Sequence, residues 1–235
     1  MLTCKGLELR QGSFSMTADV TFDSGQIIAL IGPSGAGKST LLAAIAGFLK
    51  PVAGQISWGT QDLTDLPPGA RPMSMLFQDN NLFPHLTAAQ NVGLGLRPDL
   101  RLSKDEQKTV EAALTDVGLE GLGLRKPSAL SGGQQSRVAL ARVLIAGHPL
   151  VLLDEPFSTL GPALKDEMLV LVKDKLIATD KTVLMVTHDP ADARRIADQA
   201  ALVADGFVAA PVKTDVLLDN PPSALAAYLG TVRIS

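Results

Sequence analysis

The stretch Gly32-Pro33-Ser34-Gly35-Ala36-Gly37-Lys38-Ser39 leaves this 235-residue chain the fewest options. It matches G-x-x-x-x-G-K-[ST]. IIALIG before it is short, apolar and β-branched, and reads as a buried strand; STLLAAIAGFL after it reads as a helix. Glycines let such a loop curl until its N–H groups converge on phosphate oxygens, and the helix N-terminus adds the positive end of its dipole. Residues 32–37 are thus expected to cradle the phosphates of ATP. Lys38 would reach the β- and γ-phosphates, Ser39 would offer its hydroxyl to Mg²⁺, and Thr40 completes the nucleotide-binding set.

A magnesium ion held this way needs a carboxylate at the end of a neighbouring strand. LVLLDEPFSTLGPAL, Leu150 to Leu164, supplies one: an apolar run ends in Asp154 and Glu155. Carboxylates at the mouth of a buried strand are costly unless something cationic meets them. Asp154 is the candidate metal residue. Glu155, one place further, is positioned to polarise a water for attack on the γ-phosphate. The competing reading makes both acids helix caps.

Strands and helices alternate along the chain. Gly6 to Val20 reads as strands turning at Gln11-Gly12. Gly54–Trp58, MSMLF (73–77), LVLL, TVLMVTH, ALVAD and FVAA read as further strands. Helices are expected after Gly133, from Pro162 to Ala178, and from Pro190 to about Ala197. This pattern predicts an α/β fold with a mainly parallel sheet. Residues 87–123 differ, with helical periodicity in EQKTVEAALTDVGL, and read as a helical insertion. The balance of 21 basic and 24 acidic residues points away from a nucleic-acid partner, and a single cysteine, Cys4, rules out an intrachain disulfide. MLTCKGLELR lacks the apolar core of a signal peptide, and no apolar run approaches a membrane span.

LSGGQ at 130–134, followed by RVALAR, resembles the signature of the ATP-binding-cassette ATPases, and it lies between the phosphate loop and LVLLDEP as it does in that family. Gln78 in MLFQDNNLFPHLT is similar to the family's Q-loop glutamine, and His188 in LMVTHDPADA to its switch histidine. The resemblance implies a P-loop NTPase (RecA-like) core with an antiparallel β subdomain and an inserted helical subdomain. The core would take residues 1–86 and 136–235, and the helical signature subdomain residues 87–135. It implies a head-to-tail homodimer sandwiching two ATP molecules, with Ser131, Gly132, Gly133 and Gln134 of one copy facing ATP on the other. Glu155, His188 and Gln78 would be catalytic, and Gln78 would also touch Mg²⁺ beside Ser39 and Asp154. Phe14 is the candidate for stacking on adenine, with core packing the equal alternative. His85 and His148 are read as structural.

The compact chain, and NNLFPHLTAAQNVGLGL in particular, most resembles the ATPase subunits of bacterial thiamine importers; relatives serving iron, molybdate or sulfate share FQ…LFPHLT. That implies an ATPase on the cytoplasmic face of the bacterial inner membrane, bound to an integral-membrane permease and indirectly to a periplasmic solute-binding protein, importing thiamine or its phosphates. The rivals are a slow-turnover ATP-dependent dimerisation switch and a soluble cassette protein of repair or translation. Two departures from the family stand out: Ser136 after LSGGQ, and Gly161 where the turn after the catalytic glutamate usually carries aspartate.

Overall fold

The computed structural model describes residues 1–229; residues 230–235, the end of the expected core segment, lie outside it. An N-terminal hairpin pairs β1 (Leu2–Gln11) with β2 (Phe14–Phe22). Along β2, Met16, Ala18, Val20 and Phe22 are buried while the residues between them face water. That period of two marks a sheet with one covered face. β3 (Ile27–Ile31) is buried at all five positions, as a strand covered on both faces must be. The phosphate loop follows and leads into α1 (Lys38–Ala46). β4 (Ala53–Trp58) and the short β5 (Gln61–Asp62) return to the hairpin, and β6 (Met73–Leu76) lies at the far edge.

α2 (Ala88–Gly93), α3 (Lys104–Asp116) and α4 (Gly132–Ile145) make the helical part. Thr87, Ser103 and Ser131 each open one of these helices with a capping box. In such a box two otherwise unpaired N–H groups are satisfied reciprocally. The expected boundary at 135/136 falls inside α4, which packs on α2 and α3 and also on β6. Then come β7 (Leu150–Asp154), α5 (Pro162–Ile177), β8 (Thr182–Val186), α6 (Pro190–Ile196), β9 (Gln199–Ala204), β10 (Phe207–Val208), β11 (Val212–Lys213), α7 (Thr214–Asp219) and α8 (Ser223–Tyr228).

The sheet order is β5-β4-β1-β2-β10-β9-β3-β8-β7-β6. β9, β3, β8, β7 and β6 run parallel, and β5, β4, β1 and β2 are antiparallel. β10 joins the two regions, parallel to β2 and antiparallel to β9. The expected core and antiparallel β region are both present, hydrogen-bonded into one continuous surface. Leu30 pairs with Val186, and Val186 with Asp154, so β3, β8 and β7 end at the same level. Open α/β sheets bind ligands at the carboxyl ends of their strands, and this is where the phosphate loop and both acids emerge.

Apolar clusters lie on both sides. One packs α1 and the hairpin on the sheet, the second packs α4 and α5 on the other face, and the third holds α7 and α8. α7 and α8 are not evident in the sequence. Each has six residues and no side-chain N-cap, so propensity alone would not form it. Burial of Leu217, Leu218 and Leu225 holds them down. Cys4 is buried in the first cluster, and burial pushes its thiol up to about 12, which leaves it unreactive. Among the described residues no helix is long and apolar enough to cross a membrane.

Candidate nucleotide site

Two glycines of the phosphate loop have no freedom of sequence. A Cβ on Gly32 would collide with the Val203 carbonyl oxygen on β9. Gly37 has φ +99°, and a Cβ there would come within 2.6 Å of the Phe14 ring and 2.7 Å of the Met16 sulfur. Only glycine satisfies both the backbone angle and the close approach. The loop is closed by a 3.2 Å hydrogen bond from Ala36 N–H to the Pro33 carbonyl. Lys38 Nζ donates to the carbonyls of Gly32 at 2.7 Å and Pro33 at 2.8 Å. Burial pulls the Lys38 pKa down, while Glu155 and Asp154 pull it back up.

Ser39 Oγ donates to Asp154 Oδ1 at 3.0 Å, across 115 residues of sequence. Burial raises the Asp154 pKa, and the Ser39 hydrogen bond opposes that shift. A cavity of about 530 Å³ lies over the loop. Ser34, Gly35, Gly37, Lys38, Ser39, Thr40, Phe14, Gln78, Glu155 and His188 line it together with Gln11 and Tyr228, whereas Gly32, Pro33, Ala36 and Asp154 do not. Phe14 is half-buried, packing partly on the hairpin core while its ring edge meets the loop at Gly37. It therefore serves core and cavity together.

Glu155 follows β7 with φ +47°, a left-handed conformation that is strained for a non-glycine residue. Its N–H donates to the Val186 carbonyl at 3.1 Å, which holds the turn against β8. The carboxylate lies 3.4 Å from His188 Nδ1. Neither acid caps a helix, so the alternative reading of the pair fails on position. The His188 turn is fixed in turn by Lys165 of α5, whose ammonium lies 2.5 Å from Asp189 and 2.6 Å from Asp192. The Lys165 hydrogen bond holds the Asp189 carboxyl below its usual range.

Arg142 is a site residue that reading the motifs misses. It donates from α4 to the carbonyls of Asn80 and Asn81, each at 3.1 Å. Both asparagines have positive φ and directly follow the turn at Gln78-Asp79. The arginine thus ties the Gln78 loop to the signature helix. Its only sequence signal is a lone charge inside the otherwise apolar run VALARVLIA, residues 138–146.

The signature residues lie apart from the cavity: none of 131–134 lines it. Ser131 Oγ accepts from Gln134 N–H at 3.3 Å, and Gln134 Oε1 accepts from Ser131 N–H at 2.9 Å. The Gln134 side chain is thus engaged in capping α4. Gly132 has open space around its Cβ position, whereas Gly133 packs against Leu160. Ser136 is buried, and its hydroxyl lies 2.7 Å from that of Thr159. The first departure from the family therefore links α4 to the turn that carries the second. Gly161 has nothing within 4 Å of its Cβ position.

The ABC transporter family profile matches residues 16–158. The "Thiamine import ATP-binding protein ThiQ" of Ruegeria sp. (strain TM1040) is 57% identical over 230 residues, covering 98% of this chain and 100% of the relative. The protein of that name from Escherichia coli (strain UTI89 / UPEC) is 52% identical, with 92% of each chain covered. Among solved structures, the ATP-binding cassette MJ0796 in a dimeric post-hydrolysis state bound to ADP and Pi superposes with a TM-score of 0.81. It is 31% identical, and the match covers 91% of this chain and 99% of that one.

Proposed function

The chain belongs to the ABC transporter family of ATP-binding cassettes, and from that premise we propose that it is the ATP-hydrolysing subunit of a bacterial thiamine importer. The observation that carries the chemistry is the convergence, at one end of one sheet, of the phosphate loop, the Ser39–Asp154 pair and the Glu155–His188 pair. Identity above 50% along nearly the whole length of thiamine-import relatives supports the solute.

The residues present suit Mg²⁺. That ion takes one or two carboxylates plus substrate phosphates and water in place of an all-protein cage. Ser39 and Asp154 offer one hydroxyl and one carboxylate 3.0 Å apart. Among the described residues no cluster of three or more metal-ligating acids, histidines or cysteines competes with them. When bound, the ion neutralises charge on the phosphate oxygens. Lys38 and the loop N–H groups orient the phosphates, Glu155 takes a proton from the attacking water, and His188 contacts the γ-phosphate. Gln78 carries the state of the site towards the helical part, where a membrane permease would seat a helix in the adjoining groove.

Two copies act head to tail, each bringing Ser131, Gly132 and Gly133 to the ATP on the other. The exposed N-terminus of α4 is a suitable anion site. The dimeric assembly of the MJ0796 cassette supports this arrangement. The subunit would sit at the cytoplasmic face of the inner membrane, held there by the permease. Co-expression with its permease and solute-binding protein in a thiamine-transport-deficient strain should restore uptake of labelled thiamine, with Lys38→Ala abolishing it. Uptake of iron, molybdate or sulfate in place of thiamine would overturn the solute, and uptake unaffected by Lys38→Ala would overturn the motor.

Gly161 adds a prediction. Its carbonyl accepts from Lys165 N–H at 2.9 Å, so it occupies the N-cap position of α5. Gly161→Asp places an N-cap carboxylate in open space at the positive end of the helix. It should stabilise the fold by about 0.5 kcal/mol. It should also tighten the coupling of the two ATP sites across the dimer. Denaturant midpoints and the Hill coefficient of ATP turnover with permease present test the two effects, and an unchanged Hill coefficient refutes the second.

A further inference from the structure

The turn at His188 is held from three directions. Inside it, Asp189 N–H donates to Thr187 Oγ1 at 3.1 Å. From α5, Lys165 grips Asp189 and Asp192. From α8, the Tyr228 hydroxyl donates a 2.8 Å hydrogen bond to the His188 carbonyl. The third contact spans 40 residues and comes from a segment without any recognisable motif. Tyr228 also lines the cavity, together with the phosphate loop, Glu155 and His188. Burial raises its phenol pKa, and the charges of Glu155 and Asp189 raise it further, so the hydroxyl keeps its proton and remains a donor at neutral pH. The helix behind it is anchored, with Leu225 fully buried and Leu229 packed on the same cluster.

We propose that Tyr228 is a positioning residue for His188, so that the C-terminal helix forms a wall of the nucleotide site and fixes the histidine's aim across Glu155 into the cavity. The imidazole is itself mostly exposed. Little packing holds the ring, so its direction depends on the backbone beneath it, and that backbone is what Tyr228 grips. The inference rests on the reading of His188 as the γ-phosphate contact.

Tyr228→Phe removes one oxygen and keeps the ring. It should lower kcat for ATP about fivefold, the scale of one lost hydrogen bond, and leave KM within about twofold. The chain has three histidines. In Tyr228→Phe the ring resonance of His188 should shift while those of His85 and His148 stay in place, a pattern that general loosening would not give. His188→Ala serves as the control. If it retains wild-type turnover, the underlying reading of His188 is wrong. If it is inactive but Tyr228→Phe matches wild type in kcat and in the His188 resonance, the positioning role is overturned. A raised KM with unchanged kcat, or a shift of all three histidines together, also overturns it.

Discussion

Glu155→Gln is expected to lower ATP turnover at least about a hundredfold while ATP affinity stays near wild type, because a general base contributes roughly 10²–10⁴ in rate. Glutamine keeps the volume and the hydrogen-bonding reach of the side chain but cannot take a proton. Glu155 adopts φ +47°, a backbone state that costs on the order of 1–3 kcal/mol for a non-glycine residue. The surrounding structure sustains it through the bond from Glu155 N–H to Val186. A glycine here would relieve the strain, and the carboxylate's neighbour His188, with Nδ1 at 3.4 Å, lines the cavity with it. With hydrolysis blocked, ATP and Mg²⁺ should hold two copies together. Size-exclusion chromatography of the variant with ATP and Mg²⁺ should therefore show a dimer. A monomer that still binds ATP tightly would contradict the head-to-tail arrangement, and retention of more than about a tenth of the activity would contradict Glu155 as the base.

The residues that meet around the cavity were legible because their chemistry is local. Gly32 and Gly37 must be glycine, since their angles and close contacts admit nothing else, and the order of motifs brings Gln78, Asp154, Glu155 and His188 to the same end of the sheet. Parallel strands made that inference safe, because successive strands of such a sheet deliver their carboxyl ends to one edge. Gln134 was legible only in part. The spacing S-x-x-Q in Ser131–Gln134 is a capping box as well as a family signature, and the structure puts the glutamine side chain to the first use. Arg142, Tyr228 and Arg71 were not legible as positioning groups. Each acts by donating to backbone carbonyls. Every residue carries a carbonyl, so no partner identity in the sequence marks such a contact. The contact between Ser136 and Thr159 escaped for a related reason: small hydroxyl residues 23 positions apart reveal no pairing until α4 brings them together.

Arg71 gives the largest stability effect expected. It is 4% exposed. Its guanidinium donates to the carbonyls of Ala44 at 2.9 Å and Ile45 at 2.6 Å, which are the last turn of α1, and to Leu66 at 2.8 Å and Thr64 at 3.2 Å. The end of a helix leaves carbonyls without intrahelical partners and carries the negative end of the dipole, so a buried cation is favoured there. Burial pulls the Arg71 pKa down and Asp62 partly offsets this, but an arginine stays charged regardless. The fit is close enough that a Cβ on Gly47 would lie 2.6 Å from Arg71 Nε. Arg71→Met keeps the apolar stem and strips every guanidinium donor: the Ala44 carbonyl keeps the Gly47 N–H, but the Ile45, Thr64 and Leu66 carbonyls lose the arginine at the base of the helix whose other end forms the phosphate loop. The expected loss is about 3 kcal/mol, the scale of a broken buried network. Arg71→Lys should recover only part of it, because one ammonium cannot span four carbonyls set around a planar fork. Urea unfolding of the three proteins measures the order directly. If Lys and Met variants proved equally stable, charge and fork geometry would both be irrelevant at this position. A loss under about 1 kcal/mol for Arg71→Met would mean that water reaches the end of α1 and satisfies the carbonyls in the arginine's place.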